Sequence, residues 1–428
     1  MVSSTQPVLN DQYDVVVIGG GPAGAATGAL LAEYGHSVLV LERSQFPRFH
    51  VGESLIPETF WSLKRLGLVD WLRASANPRK FSVQFFSDGH RASRPFYFDE
   101  YKQCESSQTW QVWRDEFDQR VLERAAELGA TVHTDAAVLD VLFDGDVATG
   151  VRVRITDSDG SKSDREIASR VVVDASGQSA FLASRLGLKD VDPWLQKGSI
   201  WNYFENARRD EGERDEGATL ILQTADKKSW FWFIPLKDNV TSIGCTGSMS
   251  YMFPKGAKPE ETFERELARC PELVERLGNA RALHDFHTTK DYSYYARQGA
   301  GPGWLLVGDA FGFIDPVYSS GVFLALKSAE LAADAVHAAF EQDDLSTDAL
   351  GGWQVQHREA VTLFRKLVFA FYNPDFSIGS FLKMHPQFRS NITDILIGDV
   401  YRPEVGEVFE VMGDVTPPSD RQTADTSA

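Results

Sequence analysis

Gly19-Gly20-Gly21-Pro22-Ala23-Gly24 stands between a β-branched run at residues 15–18 and an Ala/Leu-rich stretch at residues 23–34. A glycine turn in that setting forces a strand to feed directly into a helix, and the β-like residues 37–41 that follow close a β-α-β unit. The spacing is GxGxxG, and each glycine has a separate duty. Gly19 allows the tight turn, Gly21 lets backbone amides approach a pyrophosphate, and Gly24 lets the helix pack against the sheet. Gly19, Gly21, Ala23 and Gly24 are therefore candidate nucleotide-binding residues, with the helix N-terminus facing the phosphates. Glu42, with Arg43 beside it, falls at the end of the second strand, where a carboxylate accepts hydrogen bonds from a ribose diol. No second fingerprint of this kind occurs in the sequence.

The remaining chain alternates helical and strand patterns. Helical periodicity spans residues 114–128, strand-like runs occupy 138–143, 151–155 and 170–174, and aromatic/polar alternation over 195–249 predicts an antiparallel sheet. Residues 259–276 read as one helix, 304–307 as a buried strand, and 322–340 and 353–371 as long helices. A Pro/Ser/Thr/Asp-rich tail over 416–428 is expected to be disordered. The excess of 61 acidic over 43 basic residues, a net charge of −18, disfavours nucleic acid and anionic lipid as partners. Three cysteines without paired spacing suggest a reducing, cytoplasmic setting. No membrane span, secretory leader or metal site is expected, since His284 and His287 lack further ligands.

Gly308-Asp309-Ala310 ends one buried strand and Asp174-Ala175-Ser176-Gly177 another. With the glycine turn, these residues resemble the FAD-dependent monooxygenase superfamily of the hydroxybenzoate-hydroxylase type. The resemblance implies that Asp309 binds the ribityl chain of FAD and that Arg114 helps to hold the cofactor. A narrower likeness lies in Trp230-Phe231-Trp232-Phe233-Ile234-Pro235, which matches the WxWxIP motif of flavin-dependent halogenases. Phe313, Pro316, Ser319 and Gly321 match their FxxPxxSxG motif. The likeness is nearest to the phenol and pyrrole halogenases. It implies an α/β fold in which a hydroxybenzoate-hydroxylase-like, Rossmann-type FAD domain interleaves with an antiparallel-sheet substrate domain, followed by a C-terminal helical region. The expected boundaries are a flexible segment at 1–10, an FAD domain at 11–190 and 295–345, a substrate-side sheet at 191–294 and helices at 346–415. Residues 80–112 are expected to contribute to the substrate side.

The resemblance also assigns chemistry. Trp230 and Trp232 separate flavin from substrate, Ser319 belongs to the catalytic motif, and Pro316 and Gly321 border the cofactor. Free amides of Ser320 and Gly321 at the start of the 322–340 helix are the candidate halide site, a reading compatible with an N-cap serine there. The catalytic lysine maps to Lys80, although Arg79 beside it permits a one-residue slip. Residues 47–57, with Gly52, Glu53 and Ser54, resemble the family's flavin strap or else form a loop ending in a serine helix cap. Tyr318 replaces the glutamate of the tryptophan halogenases, which turns the expected arene from indole towards phenol or pyrrole. The implied reaction uses FADH2 from a separate flavin reductase, oxygen, and chloride or bromide. Its substrate is free or tethered to an acyl or peptidyl carrier protein, and the enzyme is a monomer or homodimer. The alternatives are an aromatic hydroxylase, a geranylgeranyl-reductase-like enzyme, or a silent flavin-binding or carrier-docking protein.

Overall fold

A computed structural model describes residues 7–100, 102–290 and 293–417. Residues 1–6 of the expected N-terminal segment and 418–428 of the expected tail lie outside them. The first sheet carries the parallel strands Trp304–Leu306, Lys162–Asp174, Gln12–Ile18, Val38–Leu41 and Thr131–His133, in that order. An antiparallel arm, Val147–Thr156 and Ala136–Asp144, extends from the long Lys162–Asp174 strand. Val15, Val16 and Val17 are all fully buried because both faces of the sheet are covered. Val15 and Val17 pack under the helices Pro22–Glu33, Arg114–Glu127 and Gly321–Glu341. Val16 and Ile18 face the antiparallel arm and Trp304. The phosphate-cradle turn thus leaves the sheet at its carboxyl end, where open α/β sheets bind ligands.

The second sheet is built around Lys197–Glu205, Val240–Ser248, Ser229–Pro235 and Thr219–Gln223. These strands, all within residues 195–249, pair antiparallel as the pattern there predicts. Ser82–Ser87 pairs with Thr219–Gln223 in parallel, because this strand enters from a distant part of the chain and needs no hairpin. The expected 259–276 helix is two helices, Pro259–Leu267 and Pro271–Leu277. The break falls at Cys270, whose φ of −129° and ψ of 76° are non-helical, as the proline after it demands.

The run at 230–235 is apolar throughout because both sheet faces are covered. Trp230, Trp232 and Ile234 pack on one face with the Gln354–Tyr372 helix and shorter C-terminal helices. Phe231 and Phe233 pack on the other with Phe263 and Leu273.

Candidate active site

A cleft of about 710 Å³ runs from the glycine turn to the two tryptophans. Gly19, Gly21 and Ala23 line one end with Glu42 and Arg43, while Trp230, Trp232, Ser319 and Gly321 line the other. Gly52, Glu53, Ser54, Arg114, Asp309 and Pro316 lie along its length. The volume is that of a site for a large small-molecule ligand. Gly24, Ser320 and Lys80 are not in its wall.

The cradle fits a dinucleotide. Gly19 has a φ of +104°, and a Cβ there would lie 2.5 Å from the Ala175 carbonyl oxygen. A Cβ on Gly24 would lie 1.9 Å from the Gly19 carbonyl oxygen, so Gly24 works behind the cleft by permitting close packing. The Pro22–Glu33 helix starts without a side-chain cap. Its first amides, at Ala23 and Gly24, make no hydrogen bond among the described residues. Glu42 is buried; its two carboxylate oxygens accept from the amides of Gly20 at 2.8 Å and Ser44 at 2.9 Å. Those bonds aim the carboxylate and leave lone pairs towards the cleft.

Arg114 is buried rather than a surface cation. Its guanidinium grips Asp118 at 2.8 and 3.0 Å and donates to the Val51 carbonyl at 2.8 Å. It therefore fastens the 47–57 strap. Within that strap Ser54 caps no helix, since the next helix, Thr59–Arg65, begins after Glu58. Glu53 instead accepts from the Tyr203 hydroxyl at 2.6 Å, and burial raises its pKa. Asp309 is half-buried in the cleft wall; desolvation pushes its pKa up to about 7, with Arg114 acting in the opposite direction.

Lys80 and Arg79 part company. They form a two-residue strand antiparallel to Thr109–Trp110, and alternation sends Arg79 outward towards Glu213 and Lys80 inward. Lys80 Nζ donates to Ser54 Oγ at 2.8 Å and to the Leu55 carbonyl at 3.0 Å. Burial alone lowers its pKa to about 7. Ser54 stands between it and the cleft.

The two indoles are held differently. Trp232 Nε1 donates to Ser242 Oγ at 3.1 Å within the sheet, whereas Trp230 Nε1 donates to the Tyr372 hydroxyl at 2.8 Å on the C-terminal helix. Tyr372 in turn donates to Asp315 at 3.0 Å, in the turn before the Gly321–Glu341 helix. That helix has Ser320 at its N-cap position without a side-chain cap bond, so the serine-cap reading fails. The Ser320 and Gly321 amides make no hydrogen bond among the described residues.

Residues 12–342 match the family model described as FAD binding domain. The chain is 30% identical to the 1H-pyrrole-2-carbonyl-(peptidyl-carrier protein) chlorinase of Pseudomonas fluorescens, over 94% of its own length and 93% of the relative's. The chain belongs to the flavin-dependent halogenases. The corresponding brominase of Pseudoalteromonas luteoviolacea is also 30% identical, over 78% of this chain and 80% of the relative. The structure of the myxobacterial chondrochloren halogenase aligns with a TM-score of 0.79 at 30% identity, covering 94% of this chain and 97% of that one. The flavin-dependent brominase Bmp2 aligns with a TM-score of 0.83 at 26% identity, covering 94% and 98%.

The halogenase is thus an FAD-dependent oxidoreductase, and its α/β fold is that of the family. Among the described residues, no helix is long and apolar enough to cross a membrane. Several cleft residues escape sequence reasoning: Arg48, Phe49, Ala136, Gln178 and Thr219. Arg48 lies in the strap and was within reach of the motif. Thr219 carries no local signal, because its place depends on parallel pairing with a strand more than a hundred residues away. Tyr318 is buried against Phe85 and Phe371 and donates to the Leu367 carbonyl at 3.3 Å.

Proposed function

We propose that this halogenase installs chlorine or bromine on a phenol or pyrrole, carried free or as a thioester on a carrier protein, with Lys80 delivering the halogen. The observation that carries this reading is the buried Lys80 side chain, whose Nζ is held by Ser54, a residue of the cleft wall. The named activities of the two pyrrolyl-carrier relatives favour the tethered pyrrole among these substrates. FADH2 comes from a separate reductase, in keeping with the single glycine fingerprint, and the reaction takes place in the cytoplasm.

Gly19, Gly21, Ala23, Glu42 and Arg43 would hold the adenosine and pyrophosphate end of FAD, and Asp309 and the Arg114-braced strap the ribityl and ring end. When bound and reduced, FAD supplies the two electrons that convert oxygen and halide into hypohalous acid. The uncapped amides of Ser320 and Gly321 attract the halide. Trp230 and Trp232 fill the far end of the cleft and keep the arene away from the flavin. Ser319, at a φ of +56°, turns the chain so that both amides begin the helix.

At Lys80 a pKa of about 7 makes both protonation states available at neutral pH. The ammonium donates a hydrogen bond to hypohalous acid and sharpens its electrophilicity, while the amine accepts halogen directly. Tyr318 provides no carboxylate base, so the proton displaced from an arene already activated by oxygen or nitrogen combines with the hydroxide released from hypohalous acid to give water. Lys80→Met should abolish halogenated product while FAD binding, followed by flavin fluorescence, stays within about twofold. A Lys80→Met enzyme that halogenates at the original rate overturns the assignment.

A further inference from the structure

Lys80 is buried, and it is Ser54 beside it that borders the cleft. Lys80 Nζ meets two acceptors, Ser54 Oγ at 2.8 Å and the Leu55 carbonyl at 3.0 Å, with the Phe98 ring 5.8 Å away. Two acceptors match the two N–H groups of an amine and leave one donor of an ammonium unmet. No carboxylate or second cation contributes to its titration, which burial alone governs. The Leu55 carbonyl is a backbone acceptor that cannot pass a proton on. Ser54 Oγ can, and it lies 2.9 Å from Thr219 Oγ1. Both hydroxyls are buried, yet both residues border the cleft. Gln111 Nε2 donates to Thr219 Oγ1 at 2.8 Å and to the Gly217 carbonyl at 2.9 Å. It occupies one lone pair of Thr219, so that hydroxyl has one remaining acceptor position and a proton to give.

We infer that Ser54 and Thr219 form a proton relay that lets Lys80 change protonation state against the water of the cleft, with Gln111 orienting it. The inference rests on the assignment of Lys80 made above. In the outward direction the Lys80 ammonium loses a proton to Ser54 Oγ. The Ser54 hydroxyl proton passes to Thr219 Oγ1, and the Thr219 hydroxyl proton passes to cleft water. Lys80 is left as an amine, both hydroxyls are restored, and the water carries the positive charge. The inward direction reverses each transfer. Ser54 and Thr219 are positioning residues in this scheme, since they act through Lys80.

The test is proton exchange at Lys80 Nζ, followed by NMR on the FAD-bound full chain labelled with 15N-lysine, with Thr219→Val and Thr219→Ser. Valine keeps the shape of threonine and removes the hydroxyl; serine keeps the hydroxyl. Thr219→Val should slow exchange about tenfold or more, and lower the single-turnover halogenation rate with an altered solvent deuterium isotope effect. Thr219→Ser should restore both to within about twofold. Wild-type exchange in Thr219→Val, or equal damage from both variants while flavin fluorescence shows full FAD binding, overturns the relay. Loss of the Lys80 assignment is separately visible, as continued halogenation by Lys80→Met, and leaves the exchange measurement still decisive.

Discussion

Lys80 gives up its hydration on all sides and gains no carboxylate in return, and so burial pulls its pKa down to about 7 from 10.5. Below pH 7 both folded and unfolded chains carry the charge, and the folded state bears the full penalty. Between about 7 and 10.5 the unfolded chain binds a proton that the folded chain does not, so stability rises with pH through this window. Lys80→Met removes that dependence. Its stability relative to the original protein should be greatest below pH 7 and should decline as pH rises to 10.5. The change is on the order of a few kcal/mol, at about 1.4 kcal/mol per unit, and urea unfolding at several pH values reads it. Asp309 tests the other end of the cleft. Asp309→Ala should weaken FAD binding by about tenfold or more, measured by flavin fluorescence titration, through loss of a hydrogen bond to a charged group.

At the scale of elements, the site depends on how closely segments approach one another. Gly24→Ala places a Cβ 1.9 Å from the Gly19 carbonyl oxygen, so the helix and turn cannot keep their present contact. Destabilisation of about 1–3 kcal/mol and loss of FAD retention through gel filtration are expected. Tyr372 joins the tryptophan strand, through Trp230, to the Asp315 turn. Tyr372→Phe strands the buried Trp230 Nε1, costing about 1–3 kcal/mol. It should increase peroxide released per FADH2 consumed relative to halogenated product, measured with a peroxide-coupled assay. The glycine turn and Glu42 were legible because strand, turn, helix and second strand follow one another within one β-α-β unit, whereas Asp309 was reached only through the family resemblance. The inward face of Lys80 was not legible, since a two-residue strand leaves no periodicity and its pairing with Thr109–Trp110 decides which of Arg79 and Lys80 is buried. The Trp230–Tyr372 bond joins residues 142 apart and left no pattern at all.

Across the whole molecule, one cleft connects a dinucleotide cradle on the parallel sheet to a tryptophan wall on the mixed sheet, with the strap lining it between them. The β-α-β unit at residues 15–41 was read directly from the pattern, and the α/β class of the whole chain came with the family resemblance. The parallel insertion of Ser82–Ser87 was hidden because pairing direction between distant strands is a property of the assembled sheet. Because the cradle exists only in the folded chain, FAD should raise folding stability by about 2.7 kcal/mol at a hundredfold excess over Kd, seen as a rise in thermal midpoint. The most direct test of the central claim is high-resolution mass spectrometry after reaction with FADH2, oxygen and chloride. The substrates are a pyrrole-2-carbonyl thioester on a carrier protein and a panel of free phenols. The account predicts a product in which the isotope pattern of chlorine replaces a ring hydrogen. A product that has gained one oxygen and no halogen would contradict it and identify a hydroxylase instead.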